Sequence, residues 1–183
     1  MKKIFCIFSL INFAFLNAQI KISEPEFSGN IVYVNDSVGS GIKLEQQTAS
    51  GSTKANGASY VPVVGLFAGK ATSKNIVKGS TSSIQIEQSK KISFIIKVSD
   101  NSIDPTTMVN IFKLNSESDS RTIEISSAKV IGGEKSGDIK YLSFNGKKYG
   151  QSSYLIEVDN IEKGEYAITL SSRRDLFNMF GIK

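Results

Sequence analysis

Apolar and polar residues alternate along most of this chain. In residues 91–98, Ile92, Phe94, Ile96 and Val98 share one face, and a period of two predicts a half-buried strand. Residues 121–126 repeat the pattern, with Ile123 and Ile125 expected inward. Residues 139–144 alternate again and run into Asn145-Gly146, a dipeptide that favours a tight hairpin turn. Residues 154–158 and 166–170 follow, and 30–34, 42–46, 60–66, 84–87 and 109–114 are further candidates. About ten short strands result, separated by Gly, Ser, Asn and Asp, with no convincing amphipathic helix of ten or more residues. Short strands at this spacing predict an all-β fold of antiparallel sheets packed as a sandwich or closed as a barrel.

Two stretches break the alternation. Residues 48–59 and 69–83 are mostly small and polar and are expected to be surface loops. They flank an apolar segment, 60–67, whose Pro62 cannot donate a ladder hydrogen bond, so that segment is expected at a sheet edge or strand start. In functional terms the two stretches are a candidate pair of binding loops around an apolar tip.

The N-terminus follows a different rule. Lys2 and Lys3 precede an apolar run over 4–15, and Ala18 supplies a small residue before Gln19. This is the pattern of a secretory signal peptide, shorter than a membrane span. The expected organisation is a signal peptide over 1–18 and a single β-sandwich domain over 19–183, exported to the periplasm, the cell surface or the medium. Beyond residue 18 no apolar run approaches transmembrane length.

Composition then removes whole classes of chemistry. The chain has no histidine, and its one cysteine, Cys6, lies inside the leader. Nucleophilic sites that need an imidazole base are excluded, as are structural zinc sites and disulfide staples in the processed chain. The net charge is +5, of which the leader lysines supply two. The remaining basic residues are mostly scattered lysines and form no dense stripe with aromatics, so nucleic acid is not an expected partner.

What survives is oxygen-ligand, carboxylate and plain binding chemistry. Asp100, Asn101 and Asp104 carry side-chain oxygens in one short loop ahead of Pro105, a candidate Ca²⁺ site although it lacks the glycine of a sharp ion-binding loop. The competing reading is an ordinary turn whose Asp and Asn cap backbone amides. Glycoside hydrolysis needs only two suitably spaced acids, and Glu24, Glu26, Glu45, Glu87, Glu124, Glu157, Glu162 and Glu165 are available. Alternation puts most of them outward, and there is no Trp to serve as a sugar platform. The terminal run 173–182 is rich in apolar residues and is expected either to pack on the core as a last strand or to expose an apolar patch.

The segment 161–166 places an apolar residue, then Gly164, then Tyr166 at the opening of a strand. In immunoglobulin-like sandwiches such a Tyr hydroxyl returns to backbone a few residues upstream, so Gly164 and Tyr166 are expected to form a structural corner. The opening Met1-Lys2-Lys3-Ile4-Phe5, the Lys163-Gly164-Glu165-Tyr166-Ala167-Ile168 segment and the closing Phe177-Asn178-Met179-Phe180-Gly181-Ile182 resemble small exported flavobacterial proteins of unknown function. That resemblance implies an immunoglobulin-like sandwich and no established activity. Gly-x-Tyr ahead of a terminal Lys also resembles the C-terminal sorting domain of one Gram-negative secretion machine, but the Asn-Pro turn expected near the start of such a domain is absent. The function expected is a non-catalytic binding or interaction module with a protein or glycan partner. The alternative is a carboxylate-based hydrolase acting on an exported polymer such as a glycan.

Overall fold

The computed structural model describes residues 22–35, 37–55, 70–129, 133–136 and 139–183. The expected signal peptide over 1–18 and the apolar segment 60–67 lie outside the described residues. In chain order the strands are β1 (Ile31–Asn35), β2 (Ser40–Lys43), β3 (Glu45–Thr48), β4 (Ser50–Ala55), β5 (Lys70–Lys78), β6 (Gln85–Ile86), β7 (Lys91–Lys97), β8 (Val109–Ser116), β9 (Ser120–Lys129), β10 (Gly133–Ser136), β11 (Asn145–Tyr149), β12 (Ser153–Asp159), β13 (Gly164–Leu170) and β14 (Arg173–Ile182). A 3-10 turn, Pro105–Thr107, precedes β8. The protein is all-β, with more strands than the alternation pattern alone reveals.

Two sheets form. One has the order β11-β12-β7-β1-β2; the other runs β3-β14-β13-β8-β9-β5-β4, with β10 on β9 and β6 on β14. All pairings are antiparallel except the two-residue contact of β6 with β14. The principal core lies between the sheets, where Ile92, Phe94 and Ile96 of β7 meet Ile111 of β8, Tyr166 and Ile168 of β13, and Phe180 of β14. The rings of Phe94 and Phe180 sit 4.8 Å apart, and Tyr166 stacks on Phe180 at 5.6 Å. The face chosen by alternation in β7 is thus the buried one.

The second sheet nearly closes on itself. β3 and β4 are one segment interrupted only at Ala49; its first half pairs with β14 and its second half with β5. Gln47 tightens the seam, accepting from the Lys78 amide at 3.0 Å and donating to the Lys78 carbonyl at 3.1 Å. The enclosed barrel has its own smaller core of Val77, Phe112, Leu114, Ile123, Ala167, Phe177 and Met179. β13 therefore serves two cores: Tyr166 and Ile168 face the other sheet, whereas Ala167 faces into the barrel.

Several expectations require correction. The small-polar stretches are not surface loops throughout: β4 and β5 pair over six residue positions from Ser50↔Ile76 to Ala55↔Ala71. Poor intrinsic β-propensity is overridden because each strand gains a complete ladder partner. The strand expected at 42–46 is split, since the chain leaves the first sheet after Lys43 and joins the second at Glu45, with Leu44 buried at the crossing. Asn145-Gly146 is not a hairpin turn. It opens β11, and the chain reverses at Gly150, where φ is +59°. Gly146 is small for another reason: a Cβ there would approach Pro105 Cγ to 2.5 Å. The terminal run is strand β14, paired on both sides and buried from Phe177 to Ile182.

A short strap closes the outer face of the first sheet. Ile22 lies beside Val32 and Gly41, and Tyr149 donates to the Ile22 carbonyl. Glu24 anchors the strap by accepting from the Ser153 hydroxyl at 2.6 Å, the Gln151 amide at 2.6 Å and Lys97 Nζ at 2.9 Å. These bonds, the Ser153 hydroxyl foremost, hold its carboxyl down at about 2.

Candidate functional site

Strand alternation sorts the inward positions of the barrel by height. On β9 the sequence Arg121, Ile123, Ile125 runs from one end towards the other, and on β13 it is Glu165, Ala167, Thr169. The two ends carry different chemistry.

One end is sealed by a buried ion network. Arg121 is 0 % exposed, and its guanidinium meets Glu45 at 3.0 Å and Glu165 at 3.3 Å. It also donates to the carbonyls of Gly79 at 2.9 Å and Lys78 at 3.1 Å. Glu165 accepts further from the Ser82 amide and from Gln85; Glu45 accepts from the Ser83 amide, the Ser82 hydroxyl and Gln47. Burial pushes the Glu45 carboxyl up, but the Ser83 amide, Gln47 and Arg121 together outweigh it and hold it at about 2. Glu45 and Glu165 thus point inward, contrary to the expectation from alternation. In β3 and β13 the polar side of the strand faces the barrel, where one arginine meets both acids. Glu45, held this low, is no proton donor near neutrality.

The other end is open. A cleft of about 380 Å³ is floored by Phe112, Phe177 and Ile123, walled by Asn75, Asn110 and Thr169, and rimmed by Ile125, Tyr141 and Arg174. Phe112 meets Phe177 at 5.4 Å and Tyr141 at 6.1 Å, both edge-on. Two ladder irregularities create the opening. Between β5 and β9 the register jumps from Ser73↔Ser126 to Lys74↔Glu124, leaving Ile125 as the extra residue. Between β13 and β14 it jumps from Ile168↔Asn178 to Leu170↔Arg173. Bulges re-aim side chains, and Ile125, expected in the core, sits instead at the cleft rim at 39 % exposure. β8 and β9 pair only at Asn115↔Thr122 and Ser116↔Arg121. Where they part, Tyr141 bridges to Phe112, and the Leu142 amide donates to the Ile111 carbonyl at 2.8 Å.

Of the polar side chains lining this cleft, Thr107 and Ser171 are engaged with backbone carbonyls. Thr169 is 4 % exposed and lines the cleft, and among the described residues its hydroxyl has no hydrogen-bond partner. The side chains of Asn75, Asn110 and Arg174 are likewise without partners among the described residues. Among the described residues no acidic residue lines the cleft. In a smaller hollow of about 250 Å³ beside Leu176, two polar side chains are already engaged. Its Gln46 and Asn178 bond each other at 2.8 Å, and Asn178 also donates to the Ile168 carbonyl.

The residues singled out for cation binding are engaged locally. Asp100 accepts from the Ser102 amide and hydroxyl, Asp104 accepts from the Thr106 amide and hydroxyl, and Asn101 donates to the Ser153 carbonyl. Asp104 is the cap of the 3-10 turn. No group of three or more His, Cys, Asp or Glu with metal-binding geometry occurs among the described residues. At the corner, the Tyr166 hydroxyl donates to the Glu162 carbonyl at 2.9 Å, and Gly164 has a φ of +146°. The barrel-mouth residues carried no motif in the sequence. The polar positions Asn110 of β8 and Thr169 of β13, set in otherwise apolar strands, are the signal that could have found them.

No protein-family model matches the chain, and no characterised protein shows significant similarity to it.

Proposed function

We propose that this chain is an exported, immunoglobulin-like binding module and that the barrel-mouth cleft is its ligand site. The observation that carries the reading is the Thr169 hydroxyl, which opens on the cleft without a partner among the described residues, beside the equally unengaged amides of Asn75 and Asn110. Polar side chains left open to a cleft above an aromatic floor have the make-up of a small-molecule site. Its volume of about 380 Å³ falls at the small end of ligand pockets, ~300–1,000 Å³. The Tyr166 hydroxyl bond to Glu162 supports the immunoglobulin-like assignment, and the leader pattern supports export.

Expression with the leader in a Gram-negative host is expected to yield a processed protein outside the cytoplasm that begins at or near Gln19. A folded, soluble product that retains Met1 would overturn export. For the site, Ile125→Arg is expected to fill the cleft at an already exposed position. It should leave the melting temperature of the free protein nearly unchanged and abolish stabilisation by any bound ligand. A ligand whose stabilisation survives this substitution would place binding elsewhere.

A further inference from the structure

Resting on the cleft reading above, the geometry points to a sugar unit bearing one negative charge, such as a uronic acid within a glycan, as the ligand: its hydroxyls meet Asn75, Asn110 and Thr169, its ring lies over Phe112 and Phe177, and its acidic group meets Arg174.

Three observations select this class. First, the polar groups are distributed around the wall on three strands, β5, β8 and β13, and are not gathered at one point. A ligand must therefore offer hydroxyls in several directions. An alkyl chain would shut the Thr169 hydroxyl and both amides away from water without pairing them, which disfavours it. Sites built to hydrogen-bond a ligand reject analogues that lack the groups by large factors. Second, the floor is apolar and aromatic while the walls are polar, which suits a ring with C–H faces and hydroxyl edges. The exposed ring of Tyr141, 57 % accessible at the rim, can cover the same ring from the side. Third, among the described residues the charge at the mouth has one sign. Arg174 has no ion-pair partner among them, whereas its neighbour Arg173 is paired with Asp175 at 3.4 Å. A guanidinium with no carboxylate beside it among the described lining residues is matched by an anion and mismatched by a cation. Amides and hydroxyls can donate or accept, so they take neutral hydroxyls without regard to orientation.

The test uses three probes on the processed protein: an oligogalacturonate, its neutral galactan counterpart, and dodecanoate as an anion without hydroxyls. Calorimetry measures affinity, and amide chemical-shift mapping locates the ligand. The acidic oligosaccharide is expected to bind at the cleft at least about tenfold more tightly than the neutral one, a difference of about 1.4 kcal/mol, with the preference weakening as salt is raised. Arg174→Gln is expected to erase that preference while leaving neutral binding and the melting temperature in place, since the side chain is exposed and unpaired. Thr169→Val is expected to weaken both oligosaccharides without changing their ratio. Equal binding of the acidic and neutral probes, or tighter binding of dodecanoate at the same residues, would overturn the acidic-sugar assignment while leaving the cleft as a binding site. Shifts confined to the hollow around Gln46 and Asn178 would overturn both readings. No binding of any probe would overturn the assignment.

Discussion

At the scale of single residues, Gly164 and Tyr166 anchor one corner of the fold. Tyr166 is buried with its ring on Phe180, and its hydroxyl reaches the Glu162 carbonyl. Tyr166→Phe keeps the ring but strands that acceptor, so a loss of about 1–3 kcal/mol is expected in urea unfolding. Gly164→Ala is expected to destabilise as well, because φ is +146° and a Cβ would come within 2.5 Å of Lys113 Cε. Neither substitution touches the cleft, so ligand affinity should change only through stability; a Tyr166→Phe protein of normal stability that no longer binds would refute the corner. The loop of Asp100 and Asp104 is a second residue-scale question. Each carboxylate already accepts two local hydrogen bonds, so millimolar Ca²⁺ is expected to leave the melting temperature unchanged. A Ca²⁺-dependent rise would mark the loop as an ion site, because a ligand that binds only the native state stabilises it.

At the scale of elements, β7 and β9 show how far alternation reaches. β7 was legible: Ile92, Phe94 and Ile96 face the core as their spacing requires, and Phe94→Ala is expected to cost about 3–5 kcal/mol. β9 was legible only in part. Ile123 is inward, but the bulge at Ile125 shifts the pleat by one residue, and no local pattern announces an extra residue. Arg121, read only as the opening of a strand, is the most deeply buried charge described. Removing one partner of a buried pair leaves an uncompensated charge. Arg121→Ala is therefore expected to cost about 3–5 kcal/mol, and replacing Arg121, Glu45 and Glu165 together by apolar residues of similar volume should recover much of that loss. If the single and triple variants are equally unstable, the network contributes through packing and not through charge. The stretches 48–59 and 69–83 read as loops because Ser, Gly and Thr carry little hydrophobic signal. They became β4 and β5 because each supplies the other with backbone partners.

At the scale of the whole molecule, two carboxyls make stability depend on acid. Glu24 fastens the strap to the first sheet, and Glu45 belongs to the ion network of the second. Both are held at about 2, below their ordinary value of 4.5. The native state therefore binds fewer protons than the unfolded chain, and stability falls as pH is lowered. Their contribution is complete above pH about 4.5 and is lost progressively as the pH falls towards about 2. Denaturation midpoints measured from pH 7 down to pH 2 are expected to stay level and then drop within that window. Glu24→Gln should flatten part of the drop. A midpoint that rises on acidification would contradict the sign of both shifts.

What the sequence determined by itself has a short range. A period of two marks a strand wherever one face is buried, so the all-β class, the core face of β7 and the corner of Gly164 and Tyr166 could be read residue by residue. The missing histidine excluded several chemistries before any coordinate was known. Only the tertiary structure decided how strands are shared between sheets, that β3 and β4 close the second sheet through one continuous segment, and that two register jumps open a cleft at its mouth. The physical reason is range. Alternation is set by neighbours two residues apart, whereas Asn75, Asn110, Thr169 and Arg174 meet only because four strands distant in sequence surround the same space. Their polarity looked like solvent exposure in the chain, and barrel closure turned those positions inward.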